Sequence, residues 1–270
     1  PRGPDGRAPS IPALVVSPAL ARSLAARSPD ADGIPLRLHW TTRVSRHTGH
    51  NVVATAPGSL PDAPALLLCA HFDSHGTRPD GVVYPGAADN AAGVAVLLAA
   101  ARTLAPHPLR RPIAFAAFDG EELGLLGSRA FADTDPRVPG RILAVLNIDM
   151  AGRGPAGEIT LVGSAFSPDL AADVSVPLAA AGFTVRTGID WSFRNGSDHW
   201  PFHAKGVPAV LVTCSRFEEK DLPGDLPALV DDALLERTAD AVVRAARDLA
   251  SRAHPYPVPV DADVRAPWDK

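Results

Sequence analysis

The sequence predicts an α/β fold in which a mainly parallel sheet is covered by helices on both faces. Short apolar runs of strand length alternate with longer segments whose apolar residues recur at helical spacing, the pattern of successive βα units. Acids and histidines follow several of the apolar runs directly, and open sheets of this kind bind ligands outside the carboxyl ends of their strands. The chain's 270 residues suit one large domain or a domain with an appendage, and 46% hydrophobic with 21% charged residues is a globular balance.

Residues 1–10, rich in Pro, Gly and Arg, read as a lead-in. A short strand is expected over 11–16, then a helix over 18–26 with Pro18 at its start. A half-buried strand follows over 34–40, where Ile34, Leu36, Leu38 and Trp40 recur at every second position. This strand–helix–strand unit is too small to hold a core alone. The main domain is expected to begin near a strand over 51–55. Further strands are expected at 65–69, leading to His71, at 112–118, leading to Asp119, and at 141–148, leading to Asp149. Between them lie two predicted helices. One covers 90–104, capped by Asp89 or Asn90 and stopped by Pro106. The other covers 121–131 and opens with two acids, which suit the positive end of a helix dipole. The remaining elements are a strand at 159–162, a helix at 168–181, an edge strand at 182–186, a buried strand at 207–213 and a long amphipathic helix at 228–251. Pro255, Pro257 and Pro259 imply an extended tail from His254. The resulting division is an N-terminal segment at 1–43, a main domain at 44–253 and a Pro-rich tail at 254–270.

Composition removes several function classes. A net charge of -4 with no dense Lys/Arg run argues against nucleic acid or an anionic membrane as the main partner. The longest apolar stretch, 91–101, falls short of the roughly 20 residues that span a bilayer. The opening Pro1-Arg2-Gly3-Pro4 has no apolar core of a signal peptide, and a first residue other than Met implies a removed N-terminus. Cys69 and Cys214 both lie in or beside apolar strands and are expected as buried free thiols, with a single disulfide as the alternative.

The candidate chemistry rests on seven residues. In His71-Phe72-Asp73 the first and third residues share a face of an extended segment, so Asp73 can orient a metal-binding imidazole. Asp89-Asn90 places a carboxylate at the mouth of an apolar helix. Asp119, Glu121 and Glu122 crowd three acids at a strand end, where they repel one another unless cations are present. Adjacent carboxylates also suit a division of labour, one binding metal and the other moving protons. Asp149 follows a wholly apolar strand apart from Asn147, and His199 precedes another buried strand. Each alone has a plain structural explanation: a loop histidine, an N-cap, a solvated helix start. Together, two histidines and three carboxylates with one spare glutamate form an N/O donor set suited to zinc. Five ligands exceed the need of one catalytic zinc with an open position. They suit two metals about 3.5–4 Å apart that share a bridging carboxylate.

In this order the motifs resemble the M28 family of metallopeptidases, the co-catalytic zinc aminopeptidases. The family pattern of His-x-Asp, Asp-Asn before a glycine-containing helix, Glu-Glu-x-Gly-x-x-Gly-Ser, Asp and a late His is met by His71-Phe72-Asp73, Asp89-Asn90, Glu121-Glu122-Leu123-Gly124-Leu125-Leu126-Gly127-Ser128, Asp149 and His199. The match runs over about 51–213. The resemblance implies a three-layer α/β/α sandwich with a mixed, mainly parallel central sheet of the zinc-exopeptidase kind. It implies two zinc ions per chain bridged by Asp89, with His71 and Asp149 completing one ligand set and Glu122 and His199 the other. It makes Glu121 the general base for a metal-bridged hydroxide and Asp73 the orienter of His71. The implied substrates are peptides with a free N-terminus, losing their first residue, and the implied location is secreted. The segment at 1–43 resembles the closing piece of a protease-associated domain.

One stretch departs from the family. A Tyr-His-Thr-Pro-like segment near the substrate pocket is replaced by Cys214-Ser215-Arg216-Phe217-Glu218-Glu219-Lys220-Asp221-Leu222, which leaves substrate preference open. The nearest rival activity is that of a glutaminyl cyclase, whose motifs Phe118-Asp119-Gly120-Glu121-Glu122 and Asp198-His199-Trp200-Pro201-Phe202 also resemble. Asp89-Asn90 and Gly124-Leu125-Leu126-Gly127-Ser128 side with the peptidases. A catalytically dead binding module on this fold would have lost metal ligands, and none is lost. A carboxypeptidase would need a cation for the substrate carboxylate, with Arg194 and Arg216 as candidates. Trp191, Phe193 and Trp200 are candidates for lining the pocket, and core packing explains them equally well.

Overall fold

The computed structural model describes residues 16–27, 39, 45–138, 140–155, 157–187, 196–214 and 217–257. The strands expected at 11–16 and 34–40 lie outside the described residues apart from Val16 and His39, as do the tail beyond 257 and Trp191, Phe193, Arg194 and Arg216. Residues 1–48 belong to a unit of their own, in which helix α1 (Pro18–Arg27) is described. Its start follows the expected chemistry: Pro18 occupies the first turn, and Ser17 Oγ accepts the Leu20 amide at 3.2 Å.

The second unit is organised by strands β1 (Val52–Ala56), β2 (Ala65–His71), β3 (Gly76–Thr77), β4 (Val83–Tyr84), β5 (Ile113–Phe118), β6 (Ile142–Ile148), β7 (Glu158–Val162), β8 (Thr184–Thr187) and β9 (Ala209–Thr213). Seven of them form one sheet in the order β1-β5-β2-β6-β9-β7-β8, and β3 and β4 make a small separate hairpin. The four central strands β5, β2, β6 and β9 run parallel. At one side β1 is antiparallel to β5; at the other β7 is antiparallel to β9 and parallel to the edge strand β8. The sheet is therefore mixed and mainly parallel. His71 pairs with Phe118, so β2 and β5 end level and release their loops at the same edge.

Helices α2 (Ala92–Leu104), α3 (Leu126–Thr134), α4 (Pro168–Ala180), α5 (Trp200–His203) and α6 (Asp232–Ser251) complete the unit. Every residue of β2 is buried, and its side chains divide between two cores. Leu66, Leu68 and Ala70 pack with residues of α2, α4 and α6, whereas Ala65, Leu67 and Cys69 pack with Phe131 and Ala132 of α3 and Phe202 of α5. This is why β2 reads as a continuous apolar run: a parallel strand covered on both faces has no polar side. Each buried leucine there contributes roughly 1.5–3 kcal/mol. The segment Ala87–Leu104 is long and apolar enough by composition to cross a membrane, and its burial against the sheet accounts for that apolarity. Cys69 and Cys214 are buried free thiols.

Two helix starts beside the acidic residues differ from expectation. Helix α3 begins at Leu126, not at Glu121. Gly120, Gly124 and Leu125 have φ of 70°, 102° and 62°, left-handed values that a right-handed helix excludes, so Glu121 and Glu122 sit in a turn ahead of it. Helix α2 is preceded by a wide turn (Ala87–Ala91) in which Asp89 and Asn90 are not helical. Asn90 rather than Asp89 caps it, accepting the Gly93 amide at 3.0 Å. The last helix also starts late, at Asp232, with the Asp231 carboxylate accepting the Leu234 amide at 2.9 Å.

Candidate metal centre

The loops leaving β2, β5 and β6 bring most of the candidate residues together. His71 is the last residue of β2, Glu121 and Glu122 follow β5, and Asp149 follows β6. Asp89 comes in from the turn before α2. His71 Nε2 lies 3.3 Å from Asp89 Oδ1 and 3.3 Å from Asp149 Oδ1, all three side chains being buried. Two tight groups result, His71–Glu121–Asp149 and His71–Asp89–Glu122, each with its donor atoms within 4.8 Å of one another. Asp73 stands behind them. Its Oδ1 lies 3.5 Å from His71 Nδ1, and its two oxygens accept the amides of Glu121 at 3.0 Å and Glu122 at 3.2 Å. It thus positions the histidine and the glutamate turn at once.

His199 is buried at the start of α5 and enters neither group. A third group joins Glu122 to two residues with no strand pattern to announce them: His75 Nε2 lies 3.4 Å from Glu122 Oε2 and 3.3 Å from Asp221 Oδ1. Lys220 is the other unforeseen member, with Nζ 3.2 Å from Asp89 Oδ2. Trp200 is buried in the fold.

A second set of residues holds the candidates in place. The buried Asp225 carboxylate accepts the amides of Ala88 at 2.9 Å and Asp89 at 3.0 Å, fixing the turn that carries Asp89. Asn90 donates to the Ile148 carbonyl at 2.9 Å and accepts from Met150 at 3.2 Å, which ties the start of α2 to the end of β6. Ser197 Oγ donates to Asp149 Oδ2 at 2.7 Å and accepts from Asn147 Nδ2 at 2.6 Å. Only Asn90 carried a signal in the sequence, as a polar residue at a helix mouth. Asp225 and Ser197 act across more than 45 residues, a relation that no local pattern records.

The electrostatics follow from crowding. Burial, partly offset by His71, pushes the Glu121 carboxyl up to about 9, and Asp149, Asp198 and Glu122 add repulsion. Burial and then the Asp89 charge push Glu122 up to about 7. Burial also opposes ionisation of His71 and Asp149, yet their mutual attraction outweighs it, raising the histidine and lowering the aspartate. Imidazole nitrogen and several carboxylate oxygens, buried and repelling one another, fit a zinc site in both chemistry and charge.

The sequence model of peptidase family M28 matches residues 51–246. A protein of Pyrenophora tritici-repentis named a probable zinc metalloprotease is 28% identical over 86% of this chain and 57% of its own length. The chain spans about half the length of such curated relatives. Among solved structures, BSAP, a zinc aminopeptidase from Bacillus subtilis, superposes with a TM-score of 0.63 at 24% identity, over 78% of this chain and 53% of that one. Porphyromonas gingivalis glutaminyl cyclase gives 0.61 at 21% identity, over 73% and 76%. At these identities the likeness is one of fold.

Proposed function

Because this chain belongs to peptidase family M28, we propose that it is a zinc-dependent aminopeptidase that hydrolyses the N-terminal residue from peptides with a free N-terminus. The observation that carries this reading is the convergence of His71, Asp89, Asp149, Glu121 and Glu122 at one edge of the sheet. Asp89, Asp149, Glu121 and Glu122 line a cleft of about 160 Å³, to which Asp221, His75 and Lys220 also contribute. So acidic a lining suits the ammonium of a free N-terminus, which would place the first peptide bond at the carboxylates.

In this reading the chain would hold two zinc ions, with Asp89 contributing to both positions. His71 and Asp149 complete one position. Glu122 would take part in the other, with His199 the expected partner and His75 and Asp221, whose donor atoms lie within 4.8 Å of those of Glu122, the alternatives. Bound zinc would supply the Lewis acidity that polarises the scissile carbonyl and acidifies the attacking water. Glu121 would act as the general base, taking up a proton at its carboxylate and returning it to the leaving amine. Asp73 positions both His71 and the Glu121 amide. Residues 44–253 would be the catalytic domain, and 1–43 the end of a protease-associated domain.

A glutaminyl cyclase is the second reading, favoured by how much of the P. gingivalis cyclase this chain covers, 76% against 53% of the B. subtilis aminopeptidase. Mass spectrometry of three peptides incubated with zinc-loaded protein separates the two. One peptide begins with free Leu, one is its N-acetylated twin and one begins with Gln. Loss of the first residue from free N-termini only is the expected result. Ammonia loss from the Gln peptide without cleavage would establish the cyclase instead.

A further inference from the structure

The two oxygens of Asp89 face different partners. Oδ1 lies 3.3 Å from His71 Nε2, and Oδ2 lies 3.2 Å from the ammonium of Lys220. Lys220 is not a surface residue brushing the site. Its side chain is 29% exposed, and it lines the same cleft as Glu121, Glu122 and Asp149. A second hold steadies it, since Nζ also donates to the two oxygens of Asp221 at 3.0 and 3.1 Å. Lys220 belongs to the stretch, 214–222, in which this chain departs from the family pattern.

An ammonium is a compact point charge with three donors and no acceptor. It neutralises a carboxylate oxygen but does not share it comfortably with zinc, which approaches its oxygen ligands to about 2.0–2.2 Å. Two cations crowded at Oδ2 repel each other, and the oxygen favours one at a time. Asp89 Oδ1 instead faces the His71 imidazole, which becomes a zinc ligand once it gives up its proton.

We propose that Lys220 holds the second zinc position, so that the chain loads its metals in sequence. The first ion binds against His71, Asp149 and Asp89 Oδ1. The second binds only as the ammonium leaves Asp89. This rests on the two-zinc reading given above and adds to it a residue that sets the order and spacing of the two binding steps.

Equilibrium dialysis of the metal-stripped full chain against buffered zinc, with bound zinc counted by inductively coupled plasma mass spectrometry, tests this without reference to activity. The wild type is expected to take up one zinc, then a second at a free concentration at least tenfold higher. Lys220→Met should tighten the second step at least tenfold and leave the first in place, and Lys220→Arg should preserve the gap. Lys220→Gln serves as a second neutral variant should Lys220→Met fold poorly. Two steps of equal affinity in the wild type overturn the proposal, and so does a second step that neither neutral variant moves. Absence of bound zinc in every variant would refute the zinc reading itself, an outcome distinct from both.

Discussion

Glu121 and Glu122 are neighbours in the chain that meet different company. Glu121 shares donor distance with His71 and Asp149, and Glu122 with His71, Asp89, His75 and Asp221. Their roles separate experimentally. Glu121→Gln keeps the size and the amide tie to Asp73 but removes the base, so zinc content should stay unchanged while kcat falls roughly 100- to 10,000-fold, the usual weight of a general base. Asp89→Ala removes the carboxylate that faces both His71 and Lys220, and should lose metal together with activity. Zinc content and turnover measured on the same preparations decide both cases: an active Glu121→Gln, or a fully loaded Asp89→Ala, would reassign the residue concerned. His71, Asp89, Glu121, Glu122 and Asp149 were legible as a set because each stands at a strand end or a helix mouth. Lys220 and His75 were not, because nothing in their local sequence distinguishes them from any charged loop residue.

At the scale of elements, the strands were the most readable part, since burial on both faces writes them as unbroken apolar runs. Helix starts were less so. The two acids after β5 resemble a favourable first turn, but the left-handed conformations of Gly120, Gly124 and Leu125 delay α3 by five residues, from Glu121 to Leu126. The start of α2 is set by a close approach that only glycine permits. A Cβ on Gly93 would lie 2.6 Å from the Ile148 carbonyl oxygen and 2.1 Å from Asn90 Oδ1. Gly93→Ala must therefore push α2 away from β6 and break the Asn90 link. The expected cost is about 1–3 kcal/mol, read as a lower denaturation midpoint with an unchanged slope, accompanied by weaker zinc binding because Asp89 lies four residues upstream. An unchanged midpoint would mean that the helix can shift without loss.

For the molecule as a whole, the crowded carboxylates couple stability to pH and metal. In metal-stripped protein Glu121 titrates near 9 and Glu122 near 7, both raised from an ordinary 4.5. Between the ordinary value and the raised one, the folded chain binds more protons than the unfolded chain, so stability supplied below about pH 4.5 is lost as pH rises. Glu121→Gln deletes the Glu121 share of that loss. Its melting temperature without metal should gain on the wild type steadily from pH 5 to pH 9, and saturating zinc should reduce the gain by stabilising the wild-type carboxylate. A difference that stays flat with pH would show that Glu121 keeps its ordinary carboxylate pKa inside the fold. The order of the site residues along the chain was readable in advance; the reversal of β7 and β8 was not, because strand patterns carry no direction. Asp225 has a consequence in time. It clamps the Asp89 amide from 136 residues further along the chain. At about 5–20 residues per second, a ribosome delivers that clamp roughly 7 to 27 s after Asp89 itself. A nascent chain that already carries His71, Asp89 and Asp149 still lacks the residue that fixes the Asp89 turn, so the site is completed only once Asp225 has been made.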